Sequence, residues 1–171
     1  MKIPGQFSTK INSLQSIQYQ RKQEYEIRRP ALITILPDQA VQRFLQRGPG
    51  DFVNLSDERR EAGRELAARE ISRIIRLIES GPIGLQFSVL TESENSTNCV
   101  LLRGREKTML AINPFRCDAS PYISTGVSLV TSAPEAVNAH QKVVEDLWKK
   151  SIKGMEAAQY LRGLLAENGF Q

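Results

Sequence analysis

Residues 56–89 read SDERREAGRELAAREISRIIRLIESGPIGLQFSV, and the spacing of their apolar positions changes partway along. Up to residue 78 apolar residues recur every three or four positions, which predicts a long amphipathic helix capped by Ser56 and ended by Gly81. After Pro82 apolar and polar residues alternate, which predicts a strand with one covered face. The predicted core positions are Ala62, Leu66, Ala67, Ile71, Ile74, Ile75 and Ile78 in the helix and Ile83, Leu85, Phe87 and Val89 in the strand.

The residues before this stretch predict a shorter strand and a shorter helix. The β-branched run 31–36 ends at Pro37 and is typical of a buried strand. A short helix follows, with Asp38 as its predicted N-cap and Gly48 at its end. The predicted apolar side of this helix consists of Val41, Phe44 and Leu45.

The residues after it predict three more strands. Residues 99–102 and 108–112 are two apolar runs separated by a charged turn that contains Gly104, which is typical of a β-hairpin. Residues 127–131 predict a last strand.

Two helices are predicted at the end of the chain. Ser132, Pro134 and Glu135 have the spacing of a capping box with proline at the first helical position, so a helix is predicted from there to about Gly154. A final helix ends at 168–169. The predicted apolar faces are Val137, Val144, Leu147, Trp148 and Ile152 in the first and Met155, Ala158, Leu161, Leu164 and Leu165 in the second. We therefore predict an α+β fold with one antiparallel-dominated sheet of four to five strands, covered by four to five helices.

The positive charge of the chain is concentrated at its N-terminus. Residues 1–30 hold six of the 23 basic residues and two of the 19 acidic residues, so the 17 basic and 17 acidic residues of 31–171 cancel. We predict a basic N-terminal arm or docking helix over 1–30 and a single α+β regulatory domain over 31–171. A body without net charge lacks the field that attracts phosphates, so we expect no direct nucleic-acid binding by it. The predicted partner contacts of the arm are Arg21, Lys22, Arg28 and Arg29.

Membrane, metal and cofactor sites are not indicated by the sequence. No apolar run reaches the roughly 20 residues that span a bilayer, and the first five residues lead into no apolar signal segment. One histidine and two separated cysteines do not make a zinc site. We expect a protein without metal, cofactor or membrane contact, in the cytoplasm, where unpaired cysteines are usual.

A catalytic cysteine is the enzymatic alternative. Cys117 follows Arg116, which favours the thiolate, and His140 is the only histidine that can act as a base. In this interpretation the chain is a small hydrolase or redox-sensing enzyme, and the three side chains converge in the fold. Because no catalytic motif accompanies them, we favour a protein that is not an enzyme. Cys99 lies in an apolar strand and is expected to be inert.

A ligand pocket is predicted after the second strand of the hairpin. Asn113, Phe115 and Arg116 follow that strand directly, and Tyr122 is close in sequence. An aromatic ring and a guanidinium group at a strand exit can line a shallow pocket for an anionic or polar ligand. In the other interpretation Phe115 fills the edge of the core and Arg116 caps a helix end.

Five segments between Leu36 and Leu165 resemble one family of sequences. They are 42–48 (QRFLQRG) with Asp51, the arginine-rich helix that ends in 77–79 (LIE), 111–116 (AINPFR), 130–137 (VTSAPEAV), and 147–151 (LWKKS) followed by Gly154. In these segments the chain resembles the C-terminal effector domain of bacterial helix-turn-helix transcription regulators of the Cro/repressor (XRE) type. It is also similar to the sensor domains of sugar-responsive winged-helix regulators.

The resemblance implies a non-enzymatic sensor domain that binds a small-molecule effector or a protein partner and forms homo-oligomers. A helix-turn-helix reader needs three packed helices, which residues 1–30 do not supply, so DNA binding is not implied. The residues themselves leave one more alternative, a protein–protein adaptor that docks through its N-terminal arm.

Overall fold

The computed structural model describes residues 16, 19–20, 23–24, 26–27, 31–49, 56–91, 99–112 and 129–170. The chain divides into two compact units, one of Met1–Ile33 with Ile83–Leu85 and one of Thr34–Pro82 with Gln86–Gln171. In the first unit the described residues between 16 and 27 are helical and exposed. The amide of Leu32 donates to the carbonyl of Gly84 at 2.7 Å.

The described residues form six strands and four helices, so the α+β class is confirmed. In chain order they are β1 (Leu32–Pro37), α1 (Asp38–Arg47), α2 (Asp57–Ser80), β2 (Leu85–Leu90), β3 (Cys99–Arg103), β4 (Thr108–Ile112), β5 (Leu129–Thr131), α3 (Pro134–Lys150), β6 (Ile152–Lys153) and α4 (Gly154–Glu167). The first strand, the short helix, the long helix and the hairpin all lie within two residues of their predicted positions. The prediction that the first strand is buried is wrong, because Leu32 and Ile33 are exposed and the rest of β1 is only half-buried.

The prediction of one sheet is wrong, because the strands form two three-stranded sheets, β1-β2-β6 and β3-β4-β5. Residues 152–153 were predicted to be helical, but they pair antiparallel with β2, with Val89 opposite Ile152. Strand β2 therefore has a neighbour on each side, and neither of its hydrogen-bonding edges is open to the hairpin. The hairpin pairs instead with β5, which forms the second sheet.

Three helices and the first sheet enclose the main core. Helix α2 packs against both α1 and α4, and Val89 of β2 reaches the same cluster. The buried apolar members are Val41, Leu45, Ala67, Ala68, Ile71, Ile75, Val89, Ala157, Ala158, Leu161, Leu164 and Leu165. The helical spacing of these residues on α1, α2 and α4 places them on one stripe of each helix, and burial of those stripes stabilises the fold.

Several predicted core residues are exposed. Ala62 and Leu66 lie on the solvent side of α2, and Met155 is exposed at the start of α4. The neighbouring helices cover only the α2 stripe centred on Ile71 and Ile75, which is narrower than the apolar pattern of the sequence. Apolar positions outside the covered stripe stay in contact with water.

Strand β2 also departs from its predicted alternation. Ile83 is exposed and lies before the strand, whereas Ser88, Val89 and Leu90 are all buried. Successive side chains point to opposite faces, so both faces of the sheet are covered at this end of β2. The prediction that one face of β2 is exposed to solvent is therefore wrong for residues 88–90.

The predicted helix caps differ from the observed ones. Ser56 precedes α2 as predicted, but its side chain makes no cap hydrogen bond. Ala133 rather than Ser132 is the N-cap of α3, while Pro134 is at the first helical position as predicted. Asp38 lies inside α1 instead of capping it: one carboxylate oxygen accepts from Gln39 N and the other from the hydroxyl of Tyr160.

Replacing Ser88 by alanine is expected to raise the free energy of unfolding by about 1 kcal/mol. The Ser88 hydroxyl is fully buried and has no hydrogen-bond partner among the described residues, so it loses its bonds to water without replacement. Ser151 is the matched control: it is also buried, but its hydroxyl donates to Leu147 O at 2.6 Å. Ser151→Ala should lower the free energy of unfolding measured by urea denaturation. If Ser88→Ala lowered it by the same amount, the Ser88 hydroxyl would have a hydrogen-bond partner and the prediction would be wrong.

Candidate functional site

The outer face of the second sheet is apolar across all three strands. Val100, Ala111 and Val130 lie opposite one another in one row, and Leu102 lies opposite Met109 in the next row. Residues that pair directly across strands project to the same face, as do residues two apart along a strand. These five side chains therefore form one surface, which we call the open sheet face.

Helix α3 packs against β4 of this sheet. Leu110 points to the side opposite the open sheet face and is fully buried, and Val137 of α3 is buried as well. On the open sheet face, by contrast, Val100, Leu102 and Val130 are 54%, 48% and 60% exposed. Helix α3 thus covers the sheet around Leu110, although Leu129 at the edge of that side is 56% exposed, and on the open sheet face the three residues of the outer strands are exposed while Met109 and Ala111 of β4 are half-buried.

Charged residues border the open sheet face at the hairpin turn. The turn closes by a hydrogen bond from Gly104 N to Lys107 O at 3.0 Å. Arg103, Arg105, Glu106 and Lys107 are exposed there. An apolar centre beside a charged border is the usual anatomy of a protein interface. None of the five side chains is an acid, a base or a nucleophile, and they offer a partner apolar area that association would remove from water.

Two grooves lie along α2. The first is lined by Gln46, Asp57, Arg60, Glu61 and Arg64. Its charges are matched, since Arg60 pairs with Asp57 at 3.2 Å and Arg64 with Glu61 at 3.0 Å. The second, which we call the Arg76 groove, is lined by Glu65, Ala68, Arg69, Ser72, Arg76 and Phe170. Two guanidinium groups and one carboxylate give the Arg76 groove an excess positive charge.

The Arg64 side chain connects α2 to the C-terminal residues Asn168 and Phe170 and to the end of α1. Its guanidinium donates to Asn168 O at 2.9 Å and to Leu45 O at 3.4 Å, and it lies 5.3 Å from the centre of the Phe170 ring. A half-buried guanidinium with carbonyl, carboxylate and ring partners holds each of them in place. The Phe170 wall of the Arg76 groove is therefore fixed by the fold.

The titratable groups that the structure describes form no catalytic cluster. Nδ1 of His140 lies 2.9 Å from the carbonyl oxygen of Ala136 on the same helix. Burial raises the pKa of the Cys99 thiol, which disfavours the nucleophilic thiolate. Burial, followed by the charge and hydrogen bond of Asp38, raises the pKa of Tyr160, so the phenol stays a neutral donor. No group of three or more possible metal ligands occurs among the described residues.

Most residues that the sequence singled out lie outside the described residues. These are the pocket residues Asn113, Phe115, Arg116 and Tyr122, the thiol Cys117, and the arm residues Arg21, Lys22, Arg28 and Arg29. The pocket, the arm contacts and the convergence of Arg116, Cys117 and His140 stay predictions.

The open sheet face was not predicted, although the sequence contains a signal for it. Residues 99–102 are apolar at four consecutive positions, a pattern typical of strands covered on both faces. Helix α3 covers only one face. The Arg76 groove had no comparable signal, because Arg69 and Arg76 look like any solvated positions of an amphipathic helix.

Among the described helices, none combines the length and apolar character needed to cross a membrane. No family model matches the chain, and neither a curated protein nor a solved structure is significantly similar to it.

Proposed function

We propose that this chain is a non-enzymatic regulatory domain that self-associates through the open sheet face. The observation that carries the proposal is the continuous apolar surface of Val100, Leu102, Met109, Ala111 and Val130, in which the three residues of β3 and β5 are about half exposed and the two of β4 are half-buried. Apolar surface removed from water by a partner contributes favourably to association, at roughly 25 cal/mol per Å². Contiguous exposed patches of this kind mark interaction sites.

A second copy of the chain is the partner that fits best. Residues 31–171 carry 17 basic and 17 acidic residues, so two bodies meet without net repulsion. Sheets pack face to face at about 10 Å with interdigitating apolar side chains, and the same face on both copies gives a closed two-fold dimer. The open sheet face would form the centre of this interface and the charged turn its border.

The regulatory part of the proposal rests on the sequence. The resemblance to effector domains of helix-turn-helix regulators supports a role in transcription regulation, with a small-molecule effector or a protein partner as the signal. Widely separated cysteines support a cytoplasmic location. The raised pKa of Cys99 and the contact of His140 with its own helix favour binding over catalysis.

The test is the oligomeric state of a double variant, Val100→Lys with Val130→Lys. Four ammonium groups, two from each copy, have to be desolvated at the centre of the interface on association, so we expect the dimer to weaken by at least about tenfold, a loss of about 1.4 kcal/mol. Sedimentation velocity over a concentration series measures the change, and circular dichroism checks the fold.

Val143→Lys is the matched control, because Val143 is an equally exposed valine on α3, away from the open sheet face. This variant should dimerise like the parent protein. A parent protein that stays monomeric at every concentration, or a double variant that dimerises as tightly as the control, would overturn the proposal.

A further inference from the structure

We propose that the Arg76 groove binds a small phosphorylated molecule. This inference names the effector class for the regulatory function proposed above and rests on it, but the binding itself does not require self-association. The groove is shallow and open to solvent, with a volume of about 450 Å³, so it would hold a small ligand against the surface rather than enclose it. It combines two guanidinium groups and an aromatic wall in one place.

The helix period places both arginines on one face of α2. Arg69, Ser72 and Arg76 are three and four residues apart, so they lie on one face of α2 with Ser72 in the middle. Arg69 and Arg76 are separated by about 10 Å along the helix axis, a span that two long side chains can close over Ser72. The Ser72 hydroxyl donates to Ala68 O at 2.8 Å, so its hydrogen is already used and the contacts to a phosphate come from the two guanidinium groups.

The charges of the groove are available to a ligand. Arg76 has no ion pair within the described part of the chain. Arg69 meets Glu65 at 3.8 Å, with both side chains more than half exposed, and such a pair contributes little to stability. Glu79, one turn beyond Arg76, is held by Arg162 of α4. A phosphate can therefore replace Glu65 on Arg69 at small cost.

An apolar wall lies beside the two guanidinium groups. Phe170 is held by Arg64 on its ring, and its backbone N–H donates to Leu165 O at 2.9 Å. Ala68 continues the wall at the base of the groove. A carboxylate matches one guanidinium fork, whereas a phosphate monoester has three terminal oxygens and can engage both forks. The organic part of such a ligand would pack against Phe170.

Calorimetric titration of the full chain with phenyl phosphate and with inorganic phosphate tests the site. We expect saturable binding with one ligand per chain, and tighter binding of phenyl phosphate because its ring meets Phe170. Arg76→Gln should weaken phenyl phosphate binding about tenfold, because it removes charge-assisted hydrogen bonds to the phosphate. Arg59→Gln is the matched control: Arg59 is exposed near the start of the same helix, far from the groove lining, so the same loss of charge there should change the affinity less than twofold.

A second pair of variants separates a built site from general charge attraction. Glu65→Gln frees Arg69 and should strengthen binding about threefold, in line with the small energy of an exposed ion pair. Glu70→Gln removes the same charge outside the lining and should leave affinity unchanged. Equal effects within either pair, or no saturable binding, would overturn the site. Sedimentation of the same samples reports self-association separately, so a failed groove and a failed open sheet face give different results.

Discussion

Replacing Gly48 by alanine is expected to lower the free energy of unfolding by about 3 to 5 kcal/mol. Gly48 follows α1 with φ 74° and ψ −176°, a backbone conformation in which residues with a Cβ are strained. A Cβ at this position would also lie 2.6 Å from the carbonyl carbon of Gly63 in α2. Backbone cannot rotate away as a side chain does, so α1 and α2 would have to separate at the edge of the core.

Substitutions at two other glycines separate the cost of backbone strain from the cost of the steric clash. Gly81 has φ 53° at the C-cap of α2 and nothing within 4 Å of a Cβ built on it, so Gly81→Ala should cost only about 1 kcal/mol. A Cβ on Gly63 would make ordinary contact with Gly48 Cα at 3.7 Å, and Gly63→Ala should gain up to about 1 kcal/mol from helix propensity. Urea unfolding followed by circular dichroism measures all three. A Gly48→Ala loss no larger than the Gly81→Ala loss would contradict the close approach of the helices.

The second large effect is expected in the core. Leu161→Ala should lower the free energy of unfolding by about 3 to 4 kcal/mol, because the lost contacts and the cavity add together. Leu161 on α4 is fully buried within the cluster formed with α1 and α2. Buried residues of α1, α2, α4 and β2 all belong to this cluster, so we expect little room for the site to collapse around the smaller side chain.

Leu66→Ala is the matched control in the same unit. Leu66 fits the apolar spacing of α2 as well as the buried positions do, but it is 40% exposed. Its truncation should therefore cost less than about 1 kcal/mol. Chemical denaturation of both variants compares them directly. A loss at Leu66 equal to that at Leu161 would mean that the outer stripe of α2 is covered.

The elements that could be predicted from sequence are those encoded by neighbouring residues. The long helix, the short helix and the hairpin follow from apolar spacing and from the breaks at Gly48, Gly81 and Gly104. The last strand pairing could not be predicted this way. Ile152 continues the apolar pattern of α3, yet Lys150 ends the helix and Ile152 pairs with Val89 of β2. Residues 152–153 form a strand because they pair with the free hydrogen-bonding edge of β2, which is distant in sequence.

The same contrast between local sequence pattern and long-range packing applies to the candidate sites. The sequence by itself determined the mixed α+β class, the helix and strand periods and the cancelling charges of 31–171, because each depends only on composition or on residues a few positions apart. Only the tertiary structure decided which apolar face stays bare, that Leu66 faces water while Ala68 is buried, and that Phe170 stands beside Arg76. An apolar pattern shows which side of an element can be buried. Whether anything covers that side depends on packing between segments distant in the chain, and no local pattern records it.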